Sequence, residues 1–261
     1  REFNAGRLRS ILCSGQAVVL LRLAVASKDG DWILREDDEA LRHVLSVLEG
    51  HRATYRFGAP LDVRWLRHGW SSHFEFHQDG MRIRTDFFTR PPRVSAGALA
   101  ELWSEQEGRD PPFTGPRILI EIKKTAREKD WPFVGELARM LSDPREQMLC
   151  SRSARDLLAL DAAHPGLAAT LSEARPVLGV LRQGLDALRA ALDRERRGAM
   201  DADEARLGAY LTAAVPFRKA WADVQARAAG LPLGEAHALV VESAERWLPT
   251  APHPPNPGTG S

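Results

Sequence analysis

From about residue 133 the chain is composed almost entirely of strong helix formers, whereas the residues before it change texture every few positions. Segments 176–198, PVLGVLRQGLDALRAALDRERRG, and 201–230, DADEARLGAYLTAAVPFRKAWADVQARAAG, are rich in Leu, Ala and Arg with apolar residues at helical spacing. Pro216 is expected to break the second of these, because proline lacks an N–H and clashes with the preceding turn. Asp143-Pro144 supplies N-cap and first-turn chemistry for a helix through 143–158. The first half alternates instead. ATYRF (53–57), LDVRWL (61–66), SHFEFHQDGMRIRTDFFT (72–89) and RILIEI (117–122) are expected strands, with Asp79-Gly80 as a hairpin tip. Residues 16–25 are expected as a buried helix, 31–34 as a short strand, and 36–50 as an amphipathic helix carrying Leu41, Val44, Leu45 and Leu48 on one face and stopping at Gly50. The fold class this implies is α+β: a mixed sheet with flanking helices over 1–132, a helical bundle over 133–248, and a proline-rich disordered tail over 249–261.

Composition narrows the function. Hydrophobic residues make up 44% of the chain, enough for a real core, which excludes a disordered chain. The formal charge is only +1, so the whole molecule is not a polycation. Residues 52–93 nevertheless hold eight arginines against four acids, a local surface suited to a polyanionic ligand. Cys13 and Cys150 lack metal-ligand spacing and read as reduced thiols in a cytoplasmic protein. His43, His51, His68, His73 and His77 do not form a zinc pattern. No stretch is long and apolar enough to span a membrane, so a membrane role is not expected. Residues 11–26 look like a signal-peptide core behind Arg7 and Arg9, but Arg22 interrupts them, and they are read as part of the mature fold.

The stretch SKDGDW (27–32) places two carboxylates two residues apart. On an extended strand Asp29 and Asp31 project from the same face, where unpaired burial is costly. A hard divalent cation between them resolves the repulsion, since Mg²⁺ favours carboxylate and phosphate oxygens. The competing reading is plain β-turn chemistry around Asp29-Gly30. Asp86 lies inside the expected strand 81–89, where aspartate is disfavoured. It reads either as a third ligand or as an ion-pair partner of Arg82, Arg84 or Arg90. Upstream, Ser14-Gly15 before a helix can present backbone N–H groups and a hydroxyl to a phosphate.

This order of a Ser/Gly turn, a helix, a paired Asp-x-Asp and a later lone Asp resembles the nucleotidyltransferase fold of the DNA polymerase β superfamily. The resemblance implies that Asp29, Asp31 and Asp86 bind Mg²⁺ or Mn²⁺, and that Ser14 and Gly15 hold the phosphates of a nucleoside triphosphate such as ATP. Ser27, two residues before the first aspartate, fits the same pattern. Two positions depart from it: the pair runs Ser-Gly where glycine normally comes first, and Gly30 stands where an apolar residue is usual. KTAREKD (124–130) is similar to a segment of bacterial nucleotidyltransferases of the abortive-infection and toxin–antitoxin type. That likeness implies Lys123 or Lys124 as the triphosphate contact, with Lys124 in the catalytic set, and Arg127, Lys129 and Asp130 in support. The competing reading is a solvated charged turn capping a helix. Together these resemblances cover 12–141 and imply nucleotidyl transfer to a hydroxyl of RNA or protein, with a cognate antitoxin as a further partner. The arginines of 52–93, with Trp65, Trp70 and His73, either line a groove for RNA or cover a sheet and its core. Two rivals remain: a catalytically inactive member that binds nucleotide, nucleic acid or partner, and a helical interaction protein.

Overall fold

The computed structural model describes residues 1–252. The expected tail 249–261 therefore lies outside the described residues from 253 onward. The chain is α+β, with one open five-stranded mixed sheet and many helices, three of them between residues 185 and 247.

In chain order, a short 3-10 turn leads to β1 (Ser10–Cys13), α1 (Ser14–Leu20), β2 (Asp29–Leu34), α2 (Asp38–Gly50), β3 (Thr54–Tyr55), α3 (Val63–Leu66), β4 (Ser72–Gln78), β5 (Met81–Phe88) and α4 (Ala96–Glu105). Then come α5 (Pro116–Lys123), α6 (Trp131–Arg139), α7 (Pro144–Cys150), α8 (Ala154–Ala163), α9 (Leu167–Leu171), α10 (Leu185–Ala213), α11 (Val215–Ala228) and α12 (Leu233–Trp247). The described residues form two compact units, one of residues 1–114 with those from 207 onward and one of residues 115–206. The boundary expected after residue 132 falls inside the second unit, beside Trp131 at the start of α6.

The sheet of the first unit runs β1-β2-β5-β4-β3, with β2 and β5 parallel and every other neighbouring pair antiparallel. Its hairpin is set by Asp79 and Gly80, which both adopt positive φ, 51° and 75°. That is the two-residue turn whose twist matches its strands. Strand alternation then sorts the side chains. One face carries Trp32, Leu34, Phe74, Phe87 and Tyr55, which join the main core with Val44 and Leu48 of α2 and Phe217, Trp221 and Val240 of α11 and α12. Both ends of the chain thus build one core. The indoles of Trp65 and Trp70 are buried and donate to the carbonyls of Leu248 and Thr250, so these rings are structural and not stacking platforms.

Local chemistry explains the helix ends. Asp37 caps α2 by accepting from Ala40 N at 2.8 Å, and Asp38 and Glu39 favour the positive end of its dipole. Asp37→Ala is expected to cost about 1 kcal/mol of stability in urea titration. Asp143 caps α7 with Pro144 in its first turn, and Pro216 sits in the first turn of α11, just past the break at Ala214.

Two expected strands are helices. LDVRWL alternates like a strand, but Asp62 accepts from Arg64 N at 2.8 Å and nucleates α3. RILIEI is rich in β-branched residues, yet Gly115-Pro116 starts a helix in which Ile118, Leu119 and Ile122 are buried, and packing overrides propensity. Residues 176–183 form a 3-10 helix, with α10 beginning after Gly184.

In the first unit Tyr55 donates to or accepts from His237 Nδ1 at 2.7 Å and accepts from Leu61 N at 3.0 Å. Burial pushes the His237 imidazole below its usual pKa, opposed by Asp62 and reinforced by Arg64. The unfolded chain therefore binds this proton more readily than the folded one. Stability is fully present above the ordinary histidine value of about 6.5 and falls as pH drops below it, until the folded imidazole itself titrates. The urea midpoint is expected to decline between pH 7.5 and pH 5.5, and His237→Gln is expected to flatten that slope whatever its effect on absolute stability.

Candidate functional site

The second sheet face buries Ile11 and Ile33 on β1 and β2 and carries polar side chains on β2, β5 and β4. Register places Asp31 of β2 directly beside Asp86 of β5, and Asp29 beside Arg84. Asp29 and Asp31, two residues apart on one strand, share that face, so all three aspartates project from the same side of adjacent strands. Across the hairpin, Asp86 is opposite His73 and Arg84 is opposite Glu75.

Each carboxylate has a different setting. Asp29 Oδ1 is buried and has no hydrogen-bond partner among the described residues. A buried oxygen left so is costly and marks a place where a cation or donor belongs. Asp86 Oδ1 accepts from Arg56 Nη1 at 3.2 Å. His73 Nδ1 lies 2.8 Å from the same oxygen but out of line for a hydrogen bond. Arg56 also reaches Glu75 at 3.8 Å, and Glu75 in turn holds Arg82 at 2.5 Å. Of the three arginines expected beside Asp86, Arg82 is on Glu75 and Arg90 is on Glu36 at 2.7 Å, while Arg84 is registered beside Asp29.

The turn before α1 closes on this edge. Ser14 takes φ +53°, a left-handed conformation that costs a non-glycine residue about 1–3 kcal/mol and concentrates at functional sites. Gly15 is forced by space: a Cβ there would lie 2.3 Å from Ser27 Oγ and 3.1 Å from Ser27 Cβ. Ser27 Oγ donates to the Asp29 carbonyl at 3.3 Å, while Gln16 Nε2 donates to the Ser27 carbonyl at 3.3 Å. Cys13 Sγ donates to the Asp31 carbonyl at 3.2 Å. Gly15→Ala is expected to displace Ser27 and cost about 1–3 kcal/mol, as overpacking does, and Ser27→Gly in the same chain is expected to recover most of it in thermal melts.

Ser14, Gly15, Ser27, Asp29, Asp31 and Asp86 thus lie in the first unit. Lys123, Lys124, Arg127, Lys129 and Asp130 belong to the second. There, Lys123 is at the end of α5 with its side chain buried, and its Nζ lies 3.1 Å from Asp130 Oδ1. Asp130 also accepts from Thr125 Oγ1 at 2.7 Å and Arg127 Nε at 2.8 Å. Burial alone would raise the Asp130 pKa. The Thr125 hydrogen bond and the charges of Lys123 and Arg127 outweigh it, so the carboxyl titrates below its ordinary value. Lys124 Nζ lies 2.6 Å from Glu121, and Lys129 is exposed. Lys123, Arg127 and Asp130 make a closed local ion cluster, and Lys124 has its own acid.

No family model, curated protein or solved structure matches this chain.

Among the described residues, no three His, Cys, Asp or Glu side chains are gathered as a ready metal cage. The donor set on the polar face is still of the type a hard cation takes, being carboxylates in adjacent register with one buried oxygen unsatisfied. Among the described residues no helix is long and apolar enough to cross a membrane. Arg56 and His73 were legible only as a groove arginine and an aromatic surface residue. Counting equally outward from Asp79-Gly80 would have paired His73 with Asp86, since a two-residue hairpin fixes register.

Proposed function

We propose that the chain is a metal-dependent nucleotidyltransferase that moves a nucleoside monophosphate from a nucleoside triphosphate to a hydroxyl of RNA or protein. The observation that carries this reading is the side-by-side placement of Asp31 and Asp86 on parallel strands, with the unsatisfied Asp29 Oδ1 on the same face. Asp29, Asp31 and Asp86 would hold Mg²⁺ or Mn²⁺, which when bound supplies charge neutralisation for the attacking and leaving oxygens. The strained Ser14 and the backbone of Gly15 would receive the triphosphate, and Ser27 fixes the strand end that carries Asp29. Arg56 offers a guanidinium beside Asp86 that suits phosphate oxygens bidentately. Lys124 and Arg127 pair with Glu121 and Asp130 inside the second unit. A toxin–antitoxin or phage-defence setting, with a protein antitoxin as partner, accords with the resemblance noted in 124–130.

The second reading is an inactive relative of the same fold that binds a nucleotide, nucleic acid or protein partner. It is favoured by Arg56 and His73 both crowding Asp86 Oδ1, since the Arg56 guanidinium neutralises that carboxylate without any metal ion. Incubation with each of the four nucleoside triphosphates radiolabelled at the α-phosphate, with Mg²⁺ or Mn²⁺, separates the two. Transfer of label to RNA or protein supports the first. Binding of nucleotide with no transfer to self, total RNA or lysate protein supports the second.

A further inference from the structure

The first unit holds a cavity of about 940 Å³ that none of Asp29, Asp31 and Asp86 lines. Its volume is within the range of small-molecule sites. Two chemistries meet in it. The helix hairpin of α11 and α12 contributes an apolar wall that includes Trp221, Val224, Leu233 and Val240, with the exposed Leu231 on the connecting turn. The sheet side contributes Arg52, Arg56 and Arg82.

The charges there do not cancel. Three arginines line the cavity against two acids, Glu49 and Glu75. Glu75 is shared by Arg56 and Arg82. Glu49 Oε1 accepts from Gly234 N at 3.2 Å. Arg52 is held in a left-handed backbone conformation, φ +56°, and among the described residues its guanidinium meets no carboxylate. A wall that is apolar at Phe57, Trp221, Val224, Leu233 and Val240 favours a hydrocarbon body, and the unbalanced guanidinium favours one anionic head.

We propose that this cavity binds an amphipathic anion, a hydrocarbon chain ending in a carboxylate or a phosphate, with its tail against α11 and α12 and its head at Arg52. The proposal goes beyond the transfer reading: Arg56 and Glu75 border both sites, but the head-group contact at Arg52 and the tail wall on α11 and α12 belong to this cavity alone.

Calorimetric titration of the full chain with decanoate, decyl phosphate and decanol tests it. Saturable binding of decanoate or decyl phosphate is expected, with decanol at least tenfold weaker because it leaves Arg52 without a counter-charge. Whichever anion binds more tightly identifies the head group as carboxylate or phosphate. Arg52→Gln is expected to weaken the preferred anion about tenfold. Ala228→Trp, at a half-buried position of the wall, is expected to abolish binding. If circular dichroism shows Ala228→Trp unfolded, Leu231→Glu carries the same test by placing a like charge on the exposed turn. Absent binding overturns the proposal. So does decanol binding as tightly as the anions, or affinity indifferent to both Arg52→Gln and the wall variant.

Discussion

Asp31→Ala is expected to lower Mg²⁺-dependent nucleotide transfer by about 10³-fold, equivalent to about 4 kcal/mol of transition-state stabilisation. The magnitude follows from where Asp31 stands. It is central on the polar face, beside Asp86 across the sheet and in line with Asp29 along its own strand. On the proposed reading, removing it would deprive both neighbours of a shared counter-ion. Asp86→Ala is expected to fall by a similar factor, and the double variant by little more than either single one, because groups that act as a unit lose their function once. Asp31→Asn keeps size and hydrogen bonding, so its loss of rate at unchanged melting temperature would separate charge from structure. A wild-type chain that transfers label at the rate of its Asp31→Ala variant would falsify the enzyme reading.

Asp130→Ala is the change expected to injure the second unit most. The Lys123 and Asp130 side chains are only 7% and 4% exposed. Truncating the acid strands an ammonium in the interior and also releases Thr125 and Arg127. Breaking a buried pair in this way costs about 3–5 kcal/mol, more than the pair itself contributes over an apolar substitute. Amide exchange in α5 and α6 should accelerate accordingly, while exchange in the core strands of the first unit stays unchanged. The double variant Lys123→Met/Asp130→Leu is expected to recover more than half of the loss. Recovery would mark the cluster as structural. A double variant as damaged as Asp130→Ala would mean that Asp130 serves Thr125 and Arg127 more than Lys123.

Local patterns in the sequence identified the elements whose rules are local. Helix 38–50 announces itself by an Asp cap and an apolar stripe, and the hairpin by Asp-Gly between alternating runs. The polar face was legible for the same reason: alternation alone aligns Asp29 with Asp31, and a strand through Asp86 needs only neighbouring register. Segments 61–66 and 117–122 misled because their β-branched, alternating composition is overruled by Asp62 and by Gly115-Pro116, which start helices. The engagement of Asp86 by Arg56 was hidden because it depends on how a loop returns across β4, a distance no spacing rule encodes. The enclosure of the C-terminal helices in the first core was equally invisible, since an amphipathic helix does not declare which sheet it covers.

The tip at Asp79 and Gly80 reaches further than its size suggests. With both residues left-handed and Gln78 closing on Met81, each rung of the hairpin is pinned in turn, up to the one that sets His73 across from Asp86. One added residue at that tip would slide β4 by a single rung. Phe74 or Ser72 would then confront Asp86, the imidazole would turn into the core, and the sheet's wet and dry sides would trade places along that strand.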